Sequence, residues 1–468
     1  MTTTPPAWQS LYHLILLHPT EPHILLLPEQ NGWLLPFFHK VEPTHMSDAP
    51  LIIDTMQRQL GIDAIVLYCA YHGVDRENAR QELIYVLDIL HPSRILPAGS
   101  QWVGHDTLAS LELSHPEQRT FIATCLRECE EIPPLRPPWA RRGWFALAES
   151  WIQEQLARLN YTIVAPIEQV KIWSISCVLR VPTTHGNVFF KAILNSFTQT
   201  HTPISASDTT GILPLLFTHE PMLIQSLAAW YPRNVPRLLA LDRELCWMLL
   251  ADFGIELYHH SNKTAWEKAL EVYCQMQVAA THRIDSLFAV GCLDRRLHIL
   301  ATQIDPLLND EDVLADLNRN EIEQLRAHGP QLKTMGHQLA NYAIPQTLVH
   351  GDLHSGNIAV QNDNYIYFDW TDCCVAHPFF DVLTFLENVD DPVERIRLRD
   401  TYLVQWIDYA TIEYLIEVFP LSQILATIHQ AVSYQHMVAN MEGTSKQAMR
   451  GGATYWLRIL LQLLAASV

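Results

Sequence analysis

The stretch that decides the fold is VHGDLHSGN (residues 349–357), followed by IAVQNDNYIYFDW (residues 358–370). Its two short apolar runs flank Asn-Asp-Asn at residues 362–364, three residues that tolerate turn dihedral angles. Apolar runs around such a turn predict a β-hairpin. The hairpin would bring Asn357 and Asp369 together at one end, with Asp352 close by. Oxygen ligands beside a carboxylate base are typical of a site for a hard divalent cation.

This pattern carries a family resemblance. H-x-D-L-x-x-x-N, a hairpin and a second Asp resemble the kinase catalytic loop. The form HGDLHSGN, with Gly351 and His354, resembles the aminoglycoside phosphotransferase and choline kinase family, whereas protein kinases more often carry Arg at the position of Gly351. The resemblance implies an α+β fold of the bilobal protein-kinase type, with a β-rich N-lobe and a helical C-lobe. It also implies ATP and Mg²⁺ as cofactors and a small-molecule hydroxyl as acceptor.

The resemblance assigns roles residue by residue. Asp352 would orient the acceptor hydroxyl and take its proton, as the catalytic residue. Asn357 and Asp369 would hold Mg²⁺. His350 would pack under the loop as structural support. Asp381, in the sequence His-Pro-Phe-Phe-Asp at residues 377–381, would brace the loop by hydrogen bonds.

Length and composition limit the function. The chain has 468 residues, which predicts two to three folding units, and its formal net charge is −19. That charge argues against nucleic acid as a partner, because phosphate binding needs clusters of Lys and Arg. It favours a cationic small molecule as the acceptor, although acidity mostly reports solubility. The sequence leaves the oligomeric state open.

Cysteine usage and hydrophobic runs indicate the compartment. The nine cysteines have no regular spacing and no C-x-x-C motif, which favours a reduced, cytoplasmic setting. Residues 1–6 lack the basic start and apolar core of a signal peptide. We expect no membrane association, because no apolar run reaches membrane-spanning length without interruption. The nearest candidate, residues 455–468, is interrupted by Arg458 and Gln462 and fits a docked amphipathic helix better.

Residues 1–128 suggest a separate α/β domain. Apolar strands are predicted at 11–17 and 24–27, a helix at 49–60 and strands at 62–72 and 82–90. The order of Trp-Leu-Leu-Pro (residues 33–36), a helix that ends in Leu-Gly and a late Trp-Val resembles a Nudix domain. An unrelated small α/β domain is the alternative.

The helix that would carry Nudix catalysis is not intact. Alignment on Gly61 puts Thr55, Arg58 and Gln59 at the three glutamate positions of the family motif. Hard cations require anionic oxygen ligands, and Arg58 would repel a metal ion. We therefore expect a Nudix-like domain without hydrolase activity.

Residues 129–144 are rich in Pro and predict a semi-rigid linker before an N-lobe at 145–255. That lobe opens with a helix predicted at 145–159. Strands are then predicted at 161–172, 177–182 and 187–193, and the third carries Lys191.

Lys191 lies at the end of an apolar strand, where an ammonium group is costly unless it meets an anion. A Lys snorkelling from an edge strand is the alternative. The resemblance implies that Lys191 contacts the nucleotide phosphates and that Glu220 is its partner. Pro221 fits the first turn of the helix that would carry Glu220.

The remaining nucleotide contacts are less typical of a kinase. The loop at residues 170–177 contains no Gly, and the resemblance implies phosphate contacts from Ser174 and Ser176. A plain β-turn is the alternative. Strands are predicted at 236–241 and 246–253, and main-chain groups of Leu250 and Asp252 would hold adenine.

Residues 256–468 predict a helical C-lobe. Helices are expected at 265–283, 286–302, 318–341, 393–418, 421–441 and 452–466. The acidic segment 305–323 would either supply carboxylates for a cationic substrate or form a solvated helix face. The Ser-, Thr- and Pro-rich residues 196–215 are expected to be an insertion, with a flap over the site as one interpretation.

An ATP-dependent small-molecule kinase is the first hypothesis. A nucleotide-binding pseudokinase that serves as a scaffold for the Nudix-like domain is the alternative, supported by the Gly-free loop. A protein kinase ranks last, because no A-P-E-type activation segment follows Asp369. The acceptor, and the choice between ATP and GTP, stay open.

Overall fold

The computed structural model describes residues 8–30, 32–41, 49–90, 96–194, 217–260 and 263–466. The chain divides into two compact units, Met1–Thr202 with Met441–Ser445, and Pro203–Asn440 with Lys446–Val468. The expected insertion at 196–215 lies outside the described residues.

The first unit combines a large mixed sheet, a smaller antiparallel sheet and four helices. Its strands in the described ranges are β1 (Gln9–Leu17), β2 (Ile24–Glu29), β3 (Gly32–Leu34), β4 (Phe37–Lys40), β5 (Ala64–Asp75), β6 (Arg80–Ile89), β7 (Gln101–Val103), β8 (Glu168–Ile172), β9 (Ser176–Thr183) and β10 (Gly186–Ile193). Its helices are α1 (Ala49–Leu60), α2 (His105–Leu108), α3 (Arg119–Glu128) and α4 (Trp144–Arg158).

The large sheet has the order β3-β2-β1-β6-β5, with β4 on β1 and β7 on β2. β1 pairs in parallel with β6, with Tyr12 opposite Leu83, whereas β1 is antiparallel to β2 and β4. Leu14, Ile15 and Leu16 are all buried, as the uninterrupted apolar run of a central strand requires. The strands predicted in residues 1–128 are therefore confirmed, and β1 and β5 extend beyond the predicted bounds.

Helix α1 forms as the periodicity predicts. Ile52 and Met56 are buried on one face. Gly61 follows the helix with φ +65°, and its N–H donates to the main-chain oxygen of Gln57 at 3.1 Å. A glycine in the left-handed region is the common end of a helix, since it lacks a Cβ.

The aligned glutamate positions of α1 carry no carboxylate. The hydroxyl of Thr55 donates to the main-chain oxygen of Leu51 at 2.7 Å, and Nε of Arg58 donates to that of Asp54 at 3.2 Å. These side chains are therefore engaged by their own helix. The Nudix-like resemblance of this part stays a prediction.

The expected linker is not a solvent-exposed spacer. Trp139 is 1% exposed, and its indole N–H donates to the main-chain oxygen of Trp173 at 2.6 Å. Arg136 is also buried. Residues 129–144 pack within the first unit because two large side chains bury there, an effect that the Pro-rich composition does not reveal.

The first strand of the group β8, β9 and β10 begins later than the strand predicted at 161–172. β8, β9 and β10 are antiparallel, with Lys191 opposite Val178. β8 begins only at Glu168, and residues 161–167 make a single isolated bridge at Ile163. Pro166 lies in that segment and has no N–H for a ladder, which explains the late start.

The second unit is mainly helical. Its described helices are α5 (Glu220–Trp230), α6 (Lys263–Ala280), α7 (Ile284–Ala289), α8 (Leu297–Leu308), α9 (Glu311–Leu314), α10 (Arg319–Asn341), α11 (Phe380–Glu387), α12 (Pro392–Leu403), α13 (Ile412–Ala439) and α14 (Gly443–Ala466), whose first residues fall in the 441–445 segment. Its described strands are β11 (Leu238–Asp242), β12 (Trp247–Ala251), β13 (Ile255–Glu256), β14 (Leu293–Asp294), β15 (Thr347–Val349), β16 (Ile358–Gln361), β17 (Asn364–Tyr367) and β18 (Cys374–Ala376).

Several predicted helices are wrong in extent, and the one expected at 452–466 already begins at Gly443. The helix expected at 286–302 is broken, because Gly291 adopts φ +87° and β14 then pairs in parallel with β18. The helix expected at 393–418 ends at Leu403, and α13 starts after Thr411, whose hydroxyl accepts from the N–H of Tyr414. α13 also continues through Pro420, where the sequence predicts a break.

Helix α13 is long and apolar enough, by length and composition, to cross a membrane, and 78% of its most apolar window is buried inside the structure. Core helices satisfy the same criteria. This differs from the expectation that residues 455–468 are the nearest candidate, since α13 has the longer apolar run.

Candidate active site

The predicted hairpin is confirmed. β16 and β17 pair with Ile358 opposite Tyr367, and the turn residues Asn362 and Asp363 adopt φ values of 49° and 64°. At the open end, the N–H of Phe368 donates to the main-chain oxygen of Asn357 at 3.0 Å. The residue before Asp369 is thus fixed directly to Asn357.

Asp352 is held by Asn357 and keeps an accessible carboxylate. The side-chain amide of Asn357 donates to the main-chain oxygen of Asp352 at 2.9 Å and to its Oδ2 at 3.2 Å. His354 Nε2 lies 3.6 Å from the same Oδ2, and the Asp352 side chain is 48% exposed.

The carboxylate of Asp352 is ionised at neutral pH. Loss of hydration raises its pKa, but the hydrogen bond and charge of His354 and the charge of His350 together lower it, so that the net pKa lies below the ordinary value. An ionised, half-exposed carboxylate can accept both a hydrogen bond and a proton from a hydroxyl group.

His350 lies fully buried beneath the loop. Its Nε2 lies 2.9 Å from the main-chain oxygen of Phe368, and its ring packs 4.6 Å from that of Trp370. Burial lowers the pKa of His350 to about 4, so the ring is neutral at neutral pH and Nε2 donates to the carbonyl. His350 therefore links the loop to the end of β17.

Asp381 fixes the start of the loop. Its carboxylate accepts from the main-chain N–H groups of His350 at 2.8 Å and Gly351 at 2.9 Å, and from the hydroxyl of Tyr273. Burial raises the pKa of Asp381 to about 6, against these hydrogen bonds, which lower it. The sequence predicts this bracing contact but not the contribution of Tyr273.

Asp369 adopts the left-handed conformation, with φ 63°. The Thr371 hydroxyl donates to its Oδ1 at 3.1 Å. The next N–H, that of Trp370, donates to Oε1 of Glu220 at 3.1 Å. Glu220 is buried in the first turn of α5. Through this hydrogen bond it fixes the main chain next to Asp369, a contact that the sequence does not indicate. Its pairing with Lys191 stays a prediction.

Asn357 and Asp369 fit a magnesium ion. Nδ2 of Asn357 is used by Asp352, so Oδ1 of the amide is the oxygen suited to a cation, beside the carboxylate of Asp369. Mg²⁺ in nucleotide sites is bound by one or two such groups together with phosphate oxygens and water. The described residues contain no group of three or more His, Cys, Asp and Glu suited to a metal ion.

Three predicted nucleotide contacts belong to the first unit. Lys191 is buried on β10, and Ser176 is buried at the start of β9. The N–H of Trp173 donates to the main-chain oxygen of Ser176 at 2.8 Å, which makes residues 173–176, including Ser174, a tight turn. Phosphate contacts from these residues stay predictions, as does the β-turn alternative.

The predicted adenine contacts follow β12. Leu250 is buried in that strand, and Asp252 lies just after it and is exposed. The main-chain oxygen of Asp252 accepts from Gln361 at 3.1 Å. The neighbouring ring of Phe253 lies 4.6 Å from that of Phe368, so an aromatic pair connects this segment to the residue before Asp369. Sequence reasoning missed that pair.

Three of the seven acidic residues of the segment 305–323 pair with basic side chains of α14. These ion pairs are Asp312 with Lys446 at 2.6 Å, Asp316 with Arg450 at 2.9 Å and Glu321 with Arg458 at 2.8 Å. Glu321 also forms a capping box with Asn318 at the start of α10. These ion pairs are consistent with a solvated helix face, and the supply of carboxylates to a cationic substrate stays a prediction.

Two residues of α13 reach the loop and were missed. The side-chain amide of Gln430 donates to the main-chain oxygen of Gly351 at 2.6 Å. The second is Tyr434, whose pKa is raised by burial and then by the charges of Asp352 and Asp372. No local motif marks either position, because α13 is apolar on most of its faces.

Comparison with known proteins gives one family match. Residues 216–415 match the model of the phosphotransferase enzyme family. This segment contains α5, the loop at residues 349–357 and the hairpin. No curated protein matches the chain.

Several solved structures are similar to the chain at low identity. A choline kinase from Streptococcus pneumoniae is 14% identical, covering 66% of this chain and 99% of that chain with a TM-score of 0.46. A choline/ethanolamine kinase family protein from Mesorhizobium loti is 11% identical (68% and 98%, TM-score 0.44). A macrolide 2'-phosphotransferase from Brachybacterium faecium is 13% identical (65% and 97%, TM-score 0.40).

Proposed function

We propose that this chain is an ATP-dependent phosphotransferase that acts on a hydroxyl group of a small molecule. The observation that carries the proposal is the arrangement of Asp352, Asn357 and Asp369 at the open end of the hairpin. The match of residues 216–415 to the phosphotransferase family model supports the same reaction class.

Asp352 is the proposed base. Its carboxylate is ionised and half exposed, and Asn357 and His354 fix its orientation. The acceptor hydroxyl would donate to this carboxylate while its oxygen attacks the γ-phosphorus of ATP. A new P–O bond forms, the bond to the ADP oxygen breaks, and the acceptor proton passes to Asp352. Phosphoryl transfer requires alignment and charge neutralisation more than covalent help from the protein.

Asn357 and Asp369 are the proposed metal ligands. A bound Mg²⁺ would neutralise charge on the phosphate oxygens. The side-chain amide of Asn357 links the two functions, because it orients Asp352 through Nδ2 and offers Oδ1 to the cation. Lys191, in the first unit, is the proposed phosphate contact.

The proposed acceptor is polar and cationic, of the amino-alcohol, aminoglycoside or amino-sugar class. Its support is electrostatic: the carboxylate of Asp352 is ionised and half exposed, and the chain carries a formal net charge of −19. A cationic group next to that carboxylate is favoured by charge.

The test is acceptor-dependent formation of ADP. Full-length protein is incubated with Mg-ATP and a panel of amino-alcohols, aminoglycosides and sugars, with ADP followed by a coupled assay. We expect turnover with at least one acceptor and a loss of about 10²- to 10⁴-fold in Asp352→Ala, the range for removal of a general base. Asp363→Asn, at the hairpin turn, is the matched control and should keep full activity. Equal ADP traces from wild type and Asp352→Ala on every acceptor would refute the proposal.

A nucleotide-binding scaffold without turnover is the second candidate. The tight turn at residues 173–176, which has no glycine, favours it because glycine lets backbone approach phosphates closely. Its signature would be saturable binding of ATP, measured by calorimetry, without acceptor-dependent ADP.

A further inference from the structure

The first unit contains a cavity of about 160 Å³ that the proposed phosphotransfer does not use. It lies among the end of β1, the middle of β5, the C-terminal half of α3 and residues 132–142. We call it the arginine cavity, after three arginines in its lining, Arg136, Arg141 and Arg142. Tyr68 and Cys129 line it as well.

Arg136 is neutralised within the unit. Its guanidinium pairs with Glu128 at 2.8 Å and with Glu442, and it stacks 3.8 Å over the ring of Tyr68. The side chain is only 8% exposed. Arg136 is therefore a fixed wall of the cavity, with its charge balanced by two carboxylates.

Arg141 and Arg142 differ from Arg136 in their partners. Arg141 donates through Nε and Nη2 to the main-chain oxygen of Arg136, and Arg142 donates through Nη1 to those of His18 at 3.0 Å and Glu21 at 2.8 Å. Within the described ranges, neither forms an ion pair with a carboxylate. Carbonyl oxygens orient a guanidinium group but do not cancel its charge.

The charge of Arg141 is also costly where it stands. Burial, and then the charge of Arg136, lower the pKa of Arg141. Asp88 interacts electrostatically with Arg142, but its carboxylate accepts from the N–H of Gly143 at 2.8 Å and it does not line the cavity. Glu442 acts electrostatically on Arg141, and Glu128 lines the cavity, but both carboxylates form their ion pairs with Arg136. The remaining positive charge of the arginines favours an anion in the space beside Arg141 and Arg142.

We propose that the arginine cavity binds a phosphate group through Arg141 and Arg142. A guanidinium group presents paired N–H donors that match phosphate oxygens. The cavity volume suits inorganic phosphate or a diphosphate, since pockets for drug-sized ligands measure roughly 300 Å³ or more. The site is independent of the phosphotransferase proposal, because none of the residues that line the cavity takes part in that proposal.

Cys129 supplies a local reporter. A hydrogen bond with Cys125 lowers the pKa of its thiol, and the charges of Arg142 and Arg136 lower it further against burial. Alkylation proceeds through the thiolate, so its rate depends on that environment and on access. A phosphate in the cavity would screen the arginines and cover Cys129, and both effects slow alkylation.

The experiment measures iodoacetamide modification of Cys129 by mass spectrometry in the full-length protein. Inorganic phosphate, pyrophosphate or ADP is titrated at constant ionic strength. We expect saturable protection in wild type. The phosphate concentration that gives half protection should rise at least tenfold in Arg141→Gln and in Arg142→Lys. Lysine keeps the charge of Arg142 but loses its paired donors. Arg127→Gln, an exposed position on α3 outside the cavity, is the matched control and should behave as wild type.

The outcomes separate the possible sources of the phosphate group. Protection by phosphate and pyrophosphate alone assigns a free anion, whereas equal protection by ADP assigns a phosphate carried on a larger molecule. Protection that does not saturate, or that is unchanged in both arginine variants, would overturn the proposal. The wild-type titration alone decides the question if a variant fails to fold.

Discussion

The side-chain amide of Asn357 donates to both the carboxylate and the main-chain oxygen of Asp352, at 3.2 and 2.9 Å. The proposed metal ligand thus also orients the proposed base. Because the N–H of Phe368 donates to the main-chain oxygen of Asn357 at 3.0 Å, the same residue anchors the chain that leads to Asp369. Asn357 therefore connects the proposed base, Asp352, to the segment that carries the second proposed metal ligand, Asp369.

Replacement of Asn357 by Ala should affect metal dependence and turnover together. The variant loses a proposed oxygen ligand and the donor that orients Asp352. We expect the Mg²⁺ concentration for half-maximal ADP formation to rise by about 10-fold or more, with a lower kcat. Asn364→Ala, at the other end of the hairpin, is the control and should show neither change. An unchanged Mg²⁺ requirement in Asn357→Ala would remove Asn357 from the metal site.

Gly351 should not tolerate a side chain. Its φ is +86°, and an added Cβ would lie 2.4 Å from the main-chain oxygen of Asp372. Gly291 has nearly the same φ, +87°, but its added Cβ would meet only the His219 Cβ, at 3.4 Å. We expect Gly291→Ala to cost about 1–2 kcal/mol through left-handed strain alone, and Gly351→Ala to cost about 1–3 kcal/mol more through the clash. Denaturant unfolding of both variants measures the difference. Equal losses of unfolding free energy in the two variants would mean that the main chain of Asp372 moves away from the added Cβ without cost.

Local chemistry explains what the sequence predicts well. Asn362 and Asp363 tolerate positive φ, so the hairpin and its turn follow from the residues themselves. Pro221 is suited to a first helical turn, and α5 begins one residue earlier, at Glu220. The spacing of the loop motif also predicts that the carboxylates of Asp352 and Asp369 lie near the hairpin.

Tertiary packing explains what the sequence does not predict. β14 has only two residues, and it forms because Leu293 pairs with Cys374, far along the chain. Trp139 is buried in a segment whose proline content suggests an exposed linker. Gln430 contacts the loop from α13, where an apolar helix gives no periodic signal for one functional face.

Asp381 should make stability depend on pH. The pKa of Asp381 is about 6 in the folded protein, against an ordinary value of 3.8 for aspartate, so the folded state binds the proton more tightly. The stabilisation that this tighter proton binding gives the folded state is fully present below about pH 4, and it is lost as the pH rises through 6. Relative to Asp381→Asn, which does not titrate, wild type should lose about 1.4 kcal/mol of unfolding free energy between pH 5 and pH 8. Denaturant unfolding of both proteins at the two pH values measures this change, and a constant difference would contradict the raised pKa.

The position of Tyr434 depends on a glycine in the neighbouring helix. A Cβ at Gly452 of α14 would lie 2.2 Å from the Tyr434 ring, so the ring packs where that residue has no side chain. In Gly452→Ala the ring must move, and the environment shared with Asp352 and Asp372 changes. If Tyr434 contacts the acceptor, the variant should raise KM for the acceptor several-fold and leave KM for ATP unchanged.

Gly451 provides the matched control, because a Cβ there meets nothing within 4 Å. Gly451→Ala and Gly452→Ala make the same change in helix propensity, which favours alanine by about 1 kcal/mol. Only Gly452→Ala displaces the ring, so steady-state kinetics of the pair isolate the effect of Tyr434. Tyr434→Phe then separates the hydroxyl from the ring: an acceptor KM like that of wild type assigns the contact to the aromatic face, and an increased one assigns it to the hydroxyl. Unchanged acceptor KM in both Gly452→Ala and Tyr434→Phe would exclude Tyr434 from acceptor binding.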